Sequence, residues 1–156
     1  MISIVIPTWN EEKYLPKLLN CIEKQTYRDY EVIVADADST DNTVRIAKKY
    51  GCRIAKGGNP AIGRNSGAKT AKGDILLFLD ADVQFDRDFL KTSLEEIEER
   101  NLDVAGVYIR PLDNKLIDNV FLGIYNVSVS IVQFFYANAY GGGIYCRKWL
   151  HKKING

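Results

Sequence analysis

The sequence predicts an α/β domain with a mainly parallel central sheet and helices on both faces. Two observations carry this: short apolar runs alternate with helical patterns along the whole chain, and the strongest run, Ile75-Leu76-Leu77-Phe78-Leu79, is apolar without alternation. Continuous apolarity over strand length implies burial on both faces, hence a central position in a parallel sheet. The bulk figures agree with one globular domain. The chain has 156 residues, 46% hydrophobic and 26% charged, which excludes disordered and fibrous classes. No low-complexity stretch or linker divides it, so residues 1–156 read as a single unit.

Each element has its own justification. Ile2 to Ile6 is expected as the first strand; with no basic region or cleavage site around it, it reads as a strand rather than a signal peptide. Thr8 and Glu11 are spaced as a capping box, and Leu15, Leu18, Leu19 and Ile22 recur at helical spacing, with Pro16 either in an early turn or kinking the helix. Glu31 to Ala35 is the second strand. Ser39 or Thr40 then caps a helix whose inner face is Val44, Ala47 and Tyr50. A short strand lies around Arg53-Ile54-Ala55. Asn59 and Pro60 open a third helix kept thin by Gly63, Ser66, Gly67 and Ala68, which lets another backbone or a ligand come close, and Gly73 ends it. After the apolar strand, a charged helix spans Asp86 to Arg100 and a strand spans Val104 to Ile109. A last strand, Ile144-Tyr145-Cys146, leads into a basic tail in which His151 reads as exposed.

From Asn119 to Cys146 there is no charged residue. Asn119, Asn126, Ser130 and Gln133 fall on one narrow helical face, with Ile117, Phe121, Ile124, Ile131 and Phe135 opposite. A mostly buried helix and an amphipathic helix at a membrane face both fit. Burial is favoured because the polar stripe lacks lysine.

Charge and cysteine content exclude several functions. Lys plus Arg number 21 and Asp plus Glu 20, a net charge of +1, which gives no basis for nucleic-acid binding. Cys21, Cys52 and Cys146 are far apart and His151 is the lone histidine, so neither a zinc site nor a disulfide framework is expected. A reducing cytoplasm fits, at the inner face of the membrane if the uncharged segment contacts lipid. Neither GxGxxG after the first strand nor GxxxxGK[ST] occurs, which removes the common nucleotide motifs.

Three strands end in polar residues that a fold alone does not require: Pro7-Thr8-Trp9-Asn10, Asp36 with Asp38, and Asp80-Ala81-Asp82. Ligands bind beyond the carboxyl ends of parallel strands. Two carboxylates about 4 Å apart repel by roughly 4 kcal/mol at an effective dielectric near 20, and a hard cation removes that penalty. With oxygen ligands and no His or Cys nearby, the expected ion is Mg2+ or Mn2+, completed by water and substrate phosphates. Each residue has a blander explanation. Asp36 and Asp38 can cap a helix, Asp80 can end a strand, and Arg64 is either a phosphate or base partner or a surface arginine. The run Glu95, Glu96, Glu98, Glu99 is a solvated helix face.

The segments SIVIPTWNEEKYLPKLLNCI, EVIVADADSTDNT and GRNSGAKTAKGDILLFLDADV, in that order, resemble the family-two nucleotide-diphospho-sugar glycosyltransferases of GT-A fold. Asp80-Ala81-Asp82-Val83-Gln84 also resembles the polyprenyl-phosphate mannosyl- and glucosyltransferase branch. The resemblance implies a metal-dependent, inverting transferase that takes a UDP- or GDP-sugar to an unknown acceptor, lipid-linked or otherwise. It implies that Pro7, Thr8, Trp9 and Glu11 line the nucleotide pocket, that Asp36 bonds the base, and that Arg64 lies near the base and diphosphate. It places the nucleotide sugar and metal on the DxD motif, Asp80-Ala81-Asp82, with Asp82 on the ion, Asp80 on ribose or metal, and Gln84 a further ligand. Residues 1–110 are then the nucleotide-binding part and 111–156 the start of the acceptor part. Many members read Asp-Asp-Gly-Ser where this chain has Asp36-Ala37-Asp38-Ser39. The family's general base follows a Gly-Phe beyond the segment matching Gly142 to Gly156, so none is assigned. Asp113 and Asp118 do not match. The alternatives are a donor-binding fragment without turnover and a haloacid-dehalogenase-like phosphatase, whose Asp motif both 32–38 and 77–82 resemble.

Overall fold

A computed structural model of the chain describes residues 1–107, 123, 124, 127, 128 and 142–156. Its strands are β1 (Ile2–Thr8), β2 (Tyr30–Asp36), β3 (Arg53–Lys56), β4 (Ile75–Leu79), β5 (Val104–Gly106) and β6 (Gly143–Arg147). They form one sheet in the order β3-β2-β1-β4-β6-β5. β1 to β4 run parallel, while β6 pairs antiparallel with both β4 and β5. The order reverses between β1 and β4, and in open α/β sheets ligands bind beyond the strand tips at such a reversal. In register, Thr8 stands beside Asp36, and Val5 beside Phe78. The carboxyl ends of β1, β2 and β4 therefore share one edge.

Side-chain alternation divides the core into two layers. Ile2, Ile4, Ile6, Ile75, Leu77 and Leu79 point to one side, against α1 (Leu15–Glu23), α2 (Thr43–Lys49) and α4 (Phe89–Glu99). Val5, Leu76 and Phe78 point to the other, under α3 (Pro60–Thr70) and α5 (Lys148–Lys153). All five β4 residues are buried, as the unbroken apolar run requires.

The thin helix is explained by the sheet. A Cβ on Gly63 would stand 3.0 Å from that of Pro7, and one on Gly67 would overlap Val5 Cγ1. Missing side chains let α3 lie directly on β1, so the close partner is that strand, through the side chains of Pro7 and Val5. Asn59 caps α3 by accepting from the Ile62 amide at 2.9 Å, with Pro60 in the first turn.

Several local expectations are corrected. Thr8 does not cap a helix: it ends β1, and α1 begins only at Leu15. α2 is entered through Asp41 and Asn42 rather than Ser39 or Thr40, and it buries Thr43 and Ala47 while Val44 is only half-buried. α3 ends at Thr70 before reaching Gly73, because Ala71 turns to extended geometry. α4 is shorter than 86–100. His151 is half-buried, its ring 5.6 Å from that of Phe78, and burial lowers its pKa. Of the uncharged segment, Ile124 was expected to be buried but is 64% exposed. Most of that segment lies outside the described residues. Among the described residues, no helix is long and apolar enough to cross a membrane.

Candidate functional site at the strand tips

Asp36, at the tip of β2, is 7% exposed. Its Oδ1 accepts from the Thr8 hydroxyl at 2.9 Å and the Ser39 hydroxyl at 2.6 Å, and its Oδ2 accepts from the Ser39 amide at 2.9 Å. A buried carboxylate needs such donors. Asp36 thus organises its own loop and ties it to β1, rather than capping α2. Within that loop Asp38 takes a φ of +57°, a conformation suited to glycine, which matches the glycine of the resembling motif.

The loops after β1 and β2 are stitched together. The Asn10 amide donates to Ser39 Oγ at 2.8 Å, and the Thr40 amide donates to Asn10 Oδ1 at 2.9 Å. Glu11 N donates to Thr43 Oγ1 at 2.7 Å and Glu12 N to Asp41 Oδ2 at 3.0 Å, while the Asn42 amide donates back to Glu12 Oε2. Asn10 is itself left-handed, at φ +56°. These partners escaped the sequence reading because they lie about thirty residues apart. The one available signal was local: Asn favours left-handed turns, and an Asp followed three residues later by Ser can fold onto itself.

The loop after β4 closes the third side. The Asp80 amide donates to Gly142 O at 3.1 Å, and a Cβ on Gly142 would overlap Val83, so glycine permits β6 to approach. Ala81 is buried and anchors the motif, whereas Asp82 and Gln84 are exposed. From α3, Arg64 donates to Asp80 Oδ1 at 2.7 Å. Pro7 is half-buried under α3, and Trp9 is 68% exposed.

Glu11 connects these parts electrostatically. Burial raises its pKa, and the negative charges of Asp82, Asp41 and Asp80 raise it further. The loops after β1, β2 and β4 therefore share one field in which, among the described residues, acidic groups outnumber the single paired cation Arg64, and the strand register puts Asp36 and Asp82 on the same edge. Among the described residues, no three His, Cys, Asp or Glu side chains are grouped closely enough to hold a metal alone. Glu11, Asp80 and Asp82 act on one another and bring carboxylate oxygens with no His or Cys among them, and the exposed Gln84 follows on the same loop. That set fits a hard cation which takes one or two carboxylates and fills its other positions with water and phosphate oxygens.

The profile of the family described as glycosyl transferase family 2 matches residues 3–143. The chain belongs to that family. Within it, the chain is 32% identical over 123 residues to the poly(ribitol-phosphate) beta-N-acetylglucosaminyltransferase TarS of Staphylococcus aureus, covering 72% of this chain and 22% of that protein. The structure of S. aureus TarS 1–349 in complex with UDP-GlcNAc superposes at a TM-score of 0.73 with 26% identity, over 99% of this chain and 47% of that one. A mannosyltransferase of Pyrobaculum calidifontis, PcManGT, in complex with GDP-Man and Mn2+, gives a TM-score of 0.80 over 99% of this chain and 46% of that one; at 22% identity it speaks to fold alone. The fold is GT-A. The chain spans about a fifth of the curated relative and about half of each solved structure. Family membership also removes the reason for the phosphatase alternative.

Proposed function

We propose that this chain carries the donor side of an inverting glycosyltransferase that binds a nucleotide-diphospho-sugar, a UDP-sugar before a GDP-sugar, together with Mg2+ or Mn2+. Residues 1–110 form the nucleotide part, and 111–156 begin the acceptor part. The observation that carries this reading is the acidic rim of Glu11, Asp41, Asp80 and Asp82 at the β1–β4 reversal, beside the buried Asp36 at the tip of β2. Preference for UDP is supported by the UDP-GlcNAc complex of a 26% identical relative.

The chain's residues divide the work. Asp36, fixed by three donors, presents a rigid acceptor edge to a base N–H beside Thr8 and Pro7. Trp9 offers an exposed ring over which a base can stack. Asp80, Asp82 and Gln84 would hold the cation, which when bound neutralises charge on the departing nucleoside diphosphate. Arg64 supplies a planar donor set for phosphate oxygens. Inversion requires a base for the acceptor hydroxyl; none is assigned.

Calorimetric titration with UDP and with GDP, with and without Mn2+, tests the reading. UDP binding is expected to depend on the metal and to fall at least about tenfold in Asp82→Asn, a loss of about 1.4 kcal/mol or more. UDP binding that ignores both the metal and that substitution would refute it.

A further inference from the structure

Arg64 and Asp80 form an ion pair at 2.7 Å, with side chains 31% and 43% exposed. The pair joins the phosphate-type cation of the site to one of its metal-type anions, so each occupies the other's partner. A second feature sets Arg64 apart: its Nε is buried and lacks a hydrogen-bond partner among the described residues. Guanidinium groups carry five donors in a fixed plane, and a buried donor left unmatched is costly. The group is also held in place, because Gly63 and Gly67 seat α3 against β1. Arg64 is thus positioned with one arm on Asp80 and one donor unanswered.

We propose that Arg64 is a resident counter-ion that masks Asp80 from a divalent cation until a nucleoside diphosphate arrives, so that cation and nucleotide bind as a coupled pair. The proposal rests on the donor-site reading above. While the pair is closed, Asp80 is neutralised and one of its oxygens is taken. A cation arriving alone must break the pair and sit beside a fixed positive charge. A diphosphate offers Arg64 a second anion, matched in geometry to its planar donors, and a turn of the side chain away from Asp80 would bring the orphaned Nε–H within its reach. Asp80 is then released to the cation that accompanies the diphosphate. No net charge is created: one internal pair is exchanged for an Arg64–phosphate pair and an Asp80–cation pair. By linkage, the nucleotide raises cation affinity by the same factor as the cation raises nucleotide affinity.

The test is Mn2+ binding, followed by electron paramagnetic resonance with and without UDP, in the parent chain, Arg64→Gln, Arg64→Lys and Asp82→Asn. Arg64→Gln is expected to bind Mn2+ alone about three- to tenfold more tightly than the parent, the scale of one partly exposed ion pair plus a removed like charge. UDP then strengthens Mn2+ binding by a smaller factor than in the parent. Arg64→Lys keeps the charge and is expected to leave Mn2+ affinity near the parent value, which separates the effect from general disruption of α3. If the parent binds Mn2+ with UDP but Arg64→Gln binds Mn2+ alone no better, the counter-ion role is overturned and the donor site stands. If the parent binds no UDP even with Mn2+, and Asp82→Asn changes nothing, the donor-site reading falls and takes this proposal with it.

Discussion

Replacing Gly67 with alanine sets two effects of known size against each other. Gly67 lies inside α3, where alanine is preferred over glycine by about 1 kcal/mol. Against this, a Cβ there would overlap Val5 Cγ1 and stand 3.3 Å from Cγ2. Val5 is fully buried, and its branched side chain is stiff, so relief must come from lifting α3 off the sheet. Overpacking of this kind costs about 1–3 kcal/mol. The net expectation is destabilisation by about 1 kcal/mol and at most about 2, a fall in Tm of about 2–8 °C for a chain of this length. Because Arg64 rides on the same helix, UDP affinity should fall alongside. Thermal denaturation followed by circular dichroism measures the first effect, with the exposed Lys69→Ala as a control near zero. If Gly67→Ala melts above the parent, helix propensity has won. The account of α3 as a helix held against β1 by absent side chains is then wrong.

Three further outcomes are expected. Asp38→Gly should raise stability by about 0.5–1 kcal/mol, since glycine avoids the cost of an L-residue at φ +57°; a lower Tm would refute this. Burial opposes the charge on Glu31, but the Ser3 hydroxyl, the Lys72 amide and Arg53 outweigh it and hold its pKa below the ordinary 4.5. A lowered folded pKa adds stability above pH 4.5 that is lost as the pH falls through the folded value. Acid denaturation should therefore be shallower in Glu31→Gln, and identical acid profiles would count against the assignment. Burial and the charge of Glu23 push the Cys52 thiol up to about 11. Iodoacetamide at pH 8 should then modify Cys52 only in denaturant, and rapid labelling of the folded chain would contradict its burial.

Much of this was readable from the sequence where the cause is local. The β4 run is apolar because both its faces are covered, and Asn59-Pro60 opens α3 because a cap and a fixed φ act within one turn. Thr8 shows the opposite case. Its spacing to Glu11 suits a capping box, but its hydroxyl is claimed by Asp36, twenty-eight residues away, and the strand runs on. Parallel pairing makes that contact, and no window around Thr8 contains it. The small residues of α3 announced a close approach, yet only the sheet reveals that β1 is the neighbour. At the site, the acidic strand ends were legible one by one. Their common field, expressed in Glu11, and the Arg64–Asp80 pair depend on strand order, which composition does not encode.

The reciprocal bonds between residues 10–12 and 39–43 make the first two loops a single mechanical piece. Transplanting either loop alone from a homologue strands its former partners, whereas exchanging both together carries the whole lattice intact. Asn10 supplies the acceptor for the main-chain amide of Thr40 and Ser39 the acceptor for the main-chain amide of Asn10, so each of these two side chains carries a bond that the other cannot replace. Redesign of this rim therefore has to treat two distant stretches of chain as one unit of inheritance.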